Sequence, residues 1–205
     1  MRLVRYTHSC LRVEHDGQVL VIDPGIWSEP RALLGADAVL VTHEHVDHVD
    51  VLRLAGLGVP VYAPAEADIA GLDLNQVEAG DTFTAAGFKV TAVGGRHAPV
   101  RAGRAGCANL GYLVEDALYH PGDALDVPPG QVHTLLVPMQ ASWLKTSEAI
   151  DFAQAVAPRL ALGIHDAQIN DRGRASINGW LEEESATDYR WVPPGTALHV
   201  DRGVG

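Results

Sequence analysis

The sequence predicts an α/β fold in which two packed β-sheets carry helices on their outer faces, as one domain spanning residues 1–205. Three observations predict it. Short apolar runs bounded by turn-forming residues recur along the chain, as buried strands do. The same order of elements is met twice: β-hairpins, a strand that ends in ligand-type residues, then a helix, with no linker between the two runs. The chain is also long enough, at 205 residues with 47% hydrophobic and 20% charged residues, to bury a sizeable core.

In order, Leu11–Glu14 and Val19–Ile22 flank Asp16-Gly17, a strong hairpin signal. Asp23-Pro24-Gly25 turns the chain out of the second strand. A short helical connection at Pro30–Gly35 leads to the apolar strand Ala38–Val41. Val49–Leu57 reads as a weak helix or loop, Val59–Ala63 as a short strand that Pro60 assigns to an edge, and Ala65–Ala70 as one or two helical turns. Strands follow near Thr82-Phe83 and at Phe88–Val93. A second hairpin joins Leu110–Val114 to Ala117–His120, and Thr134–Val137 is a buried strand. Ser147–Val156 is the clearest helix, with Ala149, Ile150, Ala153 and Val156 on one face and Pro158 stopping it. Leu160–Ile164 is a core strand, Ile177–Glu184 a helix, and Ala197–Val200 a closing strand.

Composition excludes several classes of function. The formal net charge of −11 argues against binding nucleic acid or an anionic membrane surface. No apolar run reaches the roughly 18 residues a membrane span requires. The first residues, Met1–Tyr6, enter strand pattern directly and show no signal-peptide core, so a cytoplasmic location is expected. Two cysteines, Cys10 and Cys107, do not make a disulfide framework.

The chemistry concentrates in Thr42-His43-Glu44-His45-Val46-Asp47-His48, directly after a buried strand. Borderline metals favour neutral imidazole nitrogen and carboxylate oxygen. His43 and His45 alternate and share a face in extended backbone, while Asp47 and His48 belong to the turn beyond, an arrangement that suits two neighbouring metals better than one. The logic repeats at Gly94-Gly95-Arg96-His97, at Pro121-Gly122-Asp123 and at Ile164-His165, where strands end in further ligand types.

Together, His43, His45, Asp47, His48, His97, Asp123 and His165 resemble the metallo-β-lactamase superfamily, whose hallmark is His-x-His-x-Asp-His followed by a later His, an Asp and a His. Within it the chain looks closest to small hydrolases similar to ascorbate-6-phosphate lactonase, which begin with a short motif like Thr7-His8-Ser9-Cys10. The resemblance implies a four-layer αβ/βα sandwich with a dinuclear site at one edge. It implies that His43, His45 and His97 bind one metal, that Asp47, His48 and His165 bind the other, and that Asp123 bridges them. It also gives Asp23 a supporting role behind a ligand loop; His8, in the opening motif, is expected at the site mouth as a proton donor or orienting group. Asp47 doubles as a proton acceptor.

The expected cofactor is a pair of divalent ions, zinc first, with manganese or iron also compatible with an all-His/Asp set. The expected activity is hydrolysis of a small, anionic ester, lactone or phosphodiester, with Asp47, Asp123 and His8 as catalytic groups. Arg96, Arg101, Arg104 and Lys145 are the expected anion contacts, and Trp143 a pocket wall. A di-iron oxidoreductase on the same fold is the alternative, with a metal-dependent nuclease behind it because of the negative charge. The sequence leaves oligomeric state open, homo-oligomers included.

Overall fold

The computed structural model describes residues 1–200, so the last five residues of the expected domain lie outside the described residues. Fourteen strands form two seven-stranded mixed sheets. Sheet A contains β1 (Arg2–Arg5), β2 (Leu11–His15), β3 (Gln18–Ile22), β4 (Ala38–Leu40), β5 (Val61–Pro64), β6 (Leu74–Val77) and β14 (Ala197–His199). Its spatial order is β14-β1-β2-β3-β4-β5-β6. Sheet B contains β7 (Thr82–Ala85), β8 (Phe88–Arg96), β9 (Ala108–Val114), β10 (Leu118–His120), β11 (Thr134–Pro138), β12 (Leu160–Ile164) and β13 (Asp188–Arg190). Its order is β13-β12-β11-β10-β9-β8-β7.

The repeated order of elements has a structural counterpart. In sheet A, β14, β1, β2 and β3 pair antiparallel, and β3 to β6 pair parallel. In sheet B, β7 to β10 pair antiparallel, and β10 to β13 pair parallel. Each sheet is thus a hairpin half followed by a crossover half. The final strand crosses back to sheet A and pairs with β1.

Three apolar clusters make the four layers. Between the sheets, Leu11, Val13, Leu20, Ile22 and Leu40 meet Phe88, Val90, Tyr112, Leu118 and Leu162. Burying each such side chain contributes about 1.5–3 kcal/mol. Outside sheet B, Leu135, Val137 and Ala161 pack on α2 (Thr146–Val156) and α3 (Asp171–Glu184) through Phe152, Ala153 and Leu181. Outside sheet A the layer is thin: a 3₁₀ turn at Pro30–Leu33 and the five-residue α1 (Val51–Ala55) cover Val21, Val39 and Val61. Among the described residues no helix is long and apolar enough to cross a membrane.

Several expected elements differ. β5 is an interior strand between β4 and β6, not an edge. Pro60 precedes its first paired residue and offers only its carbonyl, which accepts from the Val39 N–H at 3.0 Å, so the missing N–H costs the ladder nothing. Residues 65–70 form turn and loop rather than helix; the Glu44 carboxylate accepts from the Asp68 N–H at 2.6 Å and holds this stretch non-helical. α3 begins six residues earlier than expected, because Asn170 caps it by accepting from the Gly173 N–H at 3.0 Å. Its Gly173 and Gly179 hide the helical period in the sequence. β6 and β13 are short, polar strands that no apolar run announces.

Candidate metal centre

Sheet A delivers four of the seven ligand candidates from one turn. After β4, residues 43–48 wind tightly, with the His48 and Val49 N–H groups donating to the His45 carbonyl at 2.9 and 3.0 Å. The turn is seated against Asp23-Pro24-Gly25. A Cβ at residue 25 would lie 1.8 Å from the Asp47 carbonyl oxygen, so only glycine admits this approach.

Sheet B delivers the other three from the ends of strands that run in one direction, β8, β10 and β12. His97 follows β8, Asp123 follows β10 and His165 follows β12. Asp123 is set by its own N–H, which donates to Asn109 Oδ1 at 2.9 Å. Gly122 takes φ 63° beside the same amide, where a Cβ would come within 2.3 Å of Asn109 Oδ1. His165 has left-handed backbone, φ 60°, and its N–H donates to the His8 carbonyl at 3.0 Å.

The histidines are held from behind. His97 Nδ1 lies 2.6 Å from the Ala98 carbonyl, and His165 Nδ1 lies 2.5 Å from that of Gln140. His48 Nδ1 lies 2.7 Å from Asp23 Oδ2. The Thr42 hydroxyl donates to Asp23 Oδ2 at 2.7 Å, which leaves its oxygen to accept from His43 Nδ1 at 3.0 Å. His45 is reversed: its Nε2 faces the Cys107 sulfur at 3.9 Å, and its Nδ1 points inward. An acceptor behind an imidazole holds the proton on the far nitrogen and leaves the near one bare for a metal.

The near nitrogens converge. His43 Nε2 and His45 Nδ1 are 3.0 Å apart. Asp123 Oδ2 lies 3.3 Å from His97 Nε2 and 3.2 Å from His165 Nε2, while its Oδ1 lies 3.2 Å from His48 Nε2. Despite these distances, His48 Nε2, His165 Nε2 and Asp123 Oδ1 are buried without an aligned hydrogen bond. Buried polar atoms left without partners are costly, and a cation among them would satisfy all three. The donor atoms fall into three overlapping sets: His43, His45, His97; His43, His48, Asp123; and His8, Asp47, His48, His165. The residues present therefore fit a bound metal.

The electrostatics of these groups divide the cluster. Burial, reinforced by His48, holds His43 well below the ordinary imidazole range, and burial with His97 lowers His45. Burial also disfavours charge on His48, but the Asp123 and Asp23 carboxylates outweigh it and raise its pKa well above the ordinary value. Burial would raise Asp123, yet His48 and His165 hold it well below the carboxylate range. At Asp47 burial is likewise outweighed, by the His8 hydrogen bond and by His48, and the pKa falls to about 2. His8 is buried and kept neutral, its pKa lowered by burial to about 4.

All seven ligand candidates, with His8 and Asp23 beside them, are brought to one end of the sandwich. Asp23 is wholly buried and accepts from the Thr42 N–H as well, at 2.7 Å. Of the expected anion contacts, Arg96 and Lys145 have carboxylate neighbours of their own. Arg96 pairs with Glu66 at 2.5 Å, because the alternation of β8 turns it away from the side His97 takes. Lys145 is exposed at the start of α2 beside Glu148, and Arg101 and Arg104 are exposed on the loop after His97. Trp143 is more than a wall: its Nε1–H donates to Asp123 Oδ2 at 3.0 Å. The sequence reading missed Cys107 behind His45 and the buried pair of Arg5 with Asp166. Arg5 also donates to the Gly163 carbonyl at 3.0 Å, and Asp166 accepts from Trp191 Nε1 at 2.6 Å. A charged residue inside the apolar run Leu3-Val4-Arg5-Tyr6 was the available signal.

A two-sheet sandwich with His and Asp side chains gathered at one strand-end edge defines a metal-site protein of the metallo-β-lactamase type. The chain belongs to the beta-lactamase superfamily domain family, whose profile matches residues 2–165. It is 39% identical to protein Rv0786c of Mycobacterium tuberculosis over 97% of this chain and 99% of that protein. It is 28% identical to a UPF0173 metal-dependent hydrolase of Methanopyrus kandleri, over 80% of this chain and 84% of that one. In fold it is similar to Igni18, a metallo hydrolase from Ignicoccus hospitalis, with a TM-score of 0.75, 18% identity, and 98% and 99% of the two chains covered.

Proposed function

We propose that the protein is a metal-dependent hydrolase that holds two divalent ions, zinc first, and cleaves a small anionic ester, lactone or phosphodiester. The observation that carries this reading is the set of buried atoms His48 Nε2, His165 Nε2 and Asp123 Oδ1, which face one another without an aligned hydrogen bond. The name of the Methanopyrus relative supports the hydrolase class. His43, His45 and His97 would hold one ion, Asp47, His48 and His165 the other, and Asp123, with one oxygen toward His48 and the second toward His97 and His165, would stand between.

When bound, such a pair supplies Lewis acidity and makes water nucleophilic at neutral pH. The chain's own groups do the rest. Asp47 stays ionised and offers Oδ1 to a proton while Oδ2 is engaged by His8. Trp143 fixes the Asp123 carboxylate and Asn109 holds the Asp123 backbone N–H, so the group need not reorient during turnover. Of the cations expected to contact an anion, Arg101 and Arg104, exposed on the loop that leaves His97, would supply the anionic preference.

The test is elemental analysis of purified protein, followed by hydrolysis of ester, lactone and phosphodiester substrates. Asp123→Ala is expected to lose at least one metal per chain and to abolish turnover. A variant that keeps both metals and full activity would overturn the reading.

A further inference from the structure

Distance alone admits His8 as an eighth ligand, since its ring nitrogen lies within 4.8 Å of ligand atoms on Asp47, His48 and His165. The chemistry behind the ring says otherwise. His43, His48, His97 and His165 each have an oxygen acceptor at the far nitrogen. His8 has a backbone donor there instead: the Ala167 N–H points at Nδ1 from 3.3 Å. A nitrogen that accepts an N–H carries no proton, so the single proton of the neutral ring sits on Nε2. Nε2 in turn lies 3.1 Å from Asp47 Oδ2.

We infer that His8 is a fixed hydrogen-bond donor to Asp47, a positioning residue for the centre and not one of its ligands. This rests on the metal-centre reading above. The ring is fully buried, with its centroid 3.9 Å from that of His165 and the edge of Trp27 against it at 4.8 Å. A flip would present ring carbons to both Ala167 and Asp47, so only one orientation satisfies the two neighbours. The backbone contributes too. His8 takes φ 67°, and its carbonyl accepts the His165 N–H at 3.0 Å, so the same residue that aims Asp47 also sets the His165 turn. His8 engages Oδ2 and leaves Asp47 Oδ1 for a metal or a proton, which restricts the carboxylate to one-oxygen ligation.

The tautomer is read by long-range proton–nitrogen NMR on 15N-labelled protein, first zinc-free and then zinc-loaded. His8→Gln serves to assign the signals. The expected result is a His8 ring protonated on Nε2 in both samples, with neither nitrogen taking the shift of a zinc-bound imidazole. A proton on Nδ1, or a zinc-dependent shift at Nε2, overturns the inference. Two variants add a second readout. His8→Asn suits the left-handed backbone but does not reach Asp47, while the terminal amide of His8→Gln does. Both are expected to bind as much zinc per chain as wild type. Turnover should fall by about 10–100-fold in His8→Asn, the range for lost groups behind a metal site, and return to within a few-fold in His8→Gln. Loss of one zinc in His8→Gln would make His8 a ligand. A wild-type protein that binds no zinc would instead defeat the underlying reading, and the zinc-free spectrum would still decide the donor assignment.

Discussion

His43, His45 and His97 form the half of the centre that reaches solvent, through the exposed His45, since His43 and His97 are 0% and 6% exposed; His48 and His165, 0% and 2% exposed, form a half that rests on buried charge. The open half is supported by neutral groups: the Thr42 hydroxyl, the Ala98 carbonyl and the Cys107 sulfur. The buried half has the Asp23 carboxylate behind His48 and, although His165 itself meets the neutral Gln140 carbonyl, the pair of Arg5, 1% exposed, with Asp166 beneath its turn. Neutral support leaves imidazoles metal-ready. Charged support holds geometry but brings protons with it. One half therefore opens to solvent at His45 and the other is anchored by charge.

The hardest way to break that contrast is to remove the buried charge. Arg5→Met strands the Asp166 carboxylate among buried groups and is expected to cost about 3–5 kcal/mol of stability. It should also weaken the second ion about 10–100-fold while sparing the first. Denaturant unfolding and stepwise competition with a chelator measure the two effects. Equal loss at both ions would show that the halves are not separately supported.

The pH dependence of loading sharpens the same contrast. His48 is raised above its unfolded value, so its proton stabilises the metal-free chain below about pH 6.5, and that contribution is lost as pH rises through the folded pKa. A metal must displace this proton. Loading of the buried half should weaken about tenfold per pH unit below the His48 pKa, from one displaced proton. His43, held neutral, adds no such slope to the open half. Calorimetric titrations in two buffers of different ionisation enthalpy count the protons released. No release on binding the second ion would defeat the assignment.

The smallest expected effect lies behind His45. Burial, with Glu44 adding to it, raises the Cys107 thiol to about 11, so it stays un-ionised and makes a weak, neutral contact. Cys107→Ala should weaken the first ion by only a few-fold, below the usual range of about 10–100-fold for stronger supports. A loss as large as that of Arg5→Met would mean the sulfur does more than orient a ring.

Much of this was legible in the sequence, and the reason is local. Six of the eight residues that meet at the centre either sit in one turn, as His43 to His48 do, or directly follow an apolar strand, as His97 and His165 do. The supports were not legible because they join residues far apart in the chain. Arg5 meets Asp166 across 161 positions, and His8 meets Ala167 across 159. Trp143 reads as a wall from its neighbours alone, and only the fold shows that its N–H reaches Asp123. Arg96 shows the opposite case: it clusters with Arg101 and Arg104 in sequence, but strand alternation sends it to Glu66.

The ligand set is split between the two sheets, with residues 43–48 following a strand of one and His97, Asp123 and His165 following strands of the other. An ion seated there clasps both halves of the sandwich, so its binding energy becomes folding energy. At a free concentration a hundredfold above its dissociation constant it adds about 2.7 kcal/mol. The melting temperature then reports how much metal its surroundings supply, and a chelator acts on this molecule as a mild denaturant.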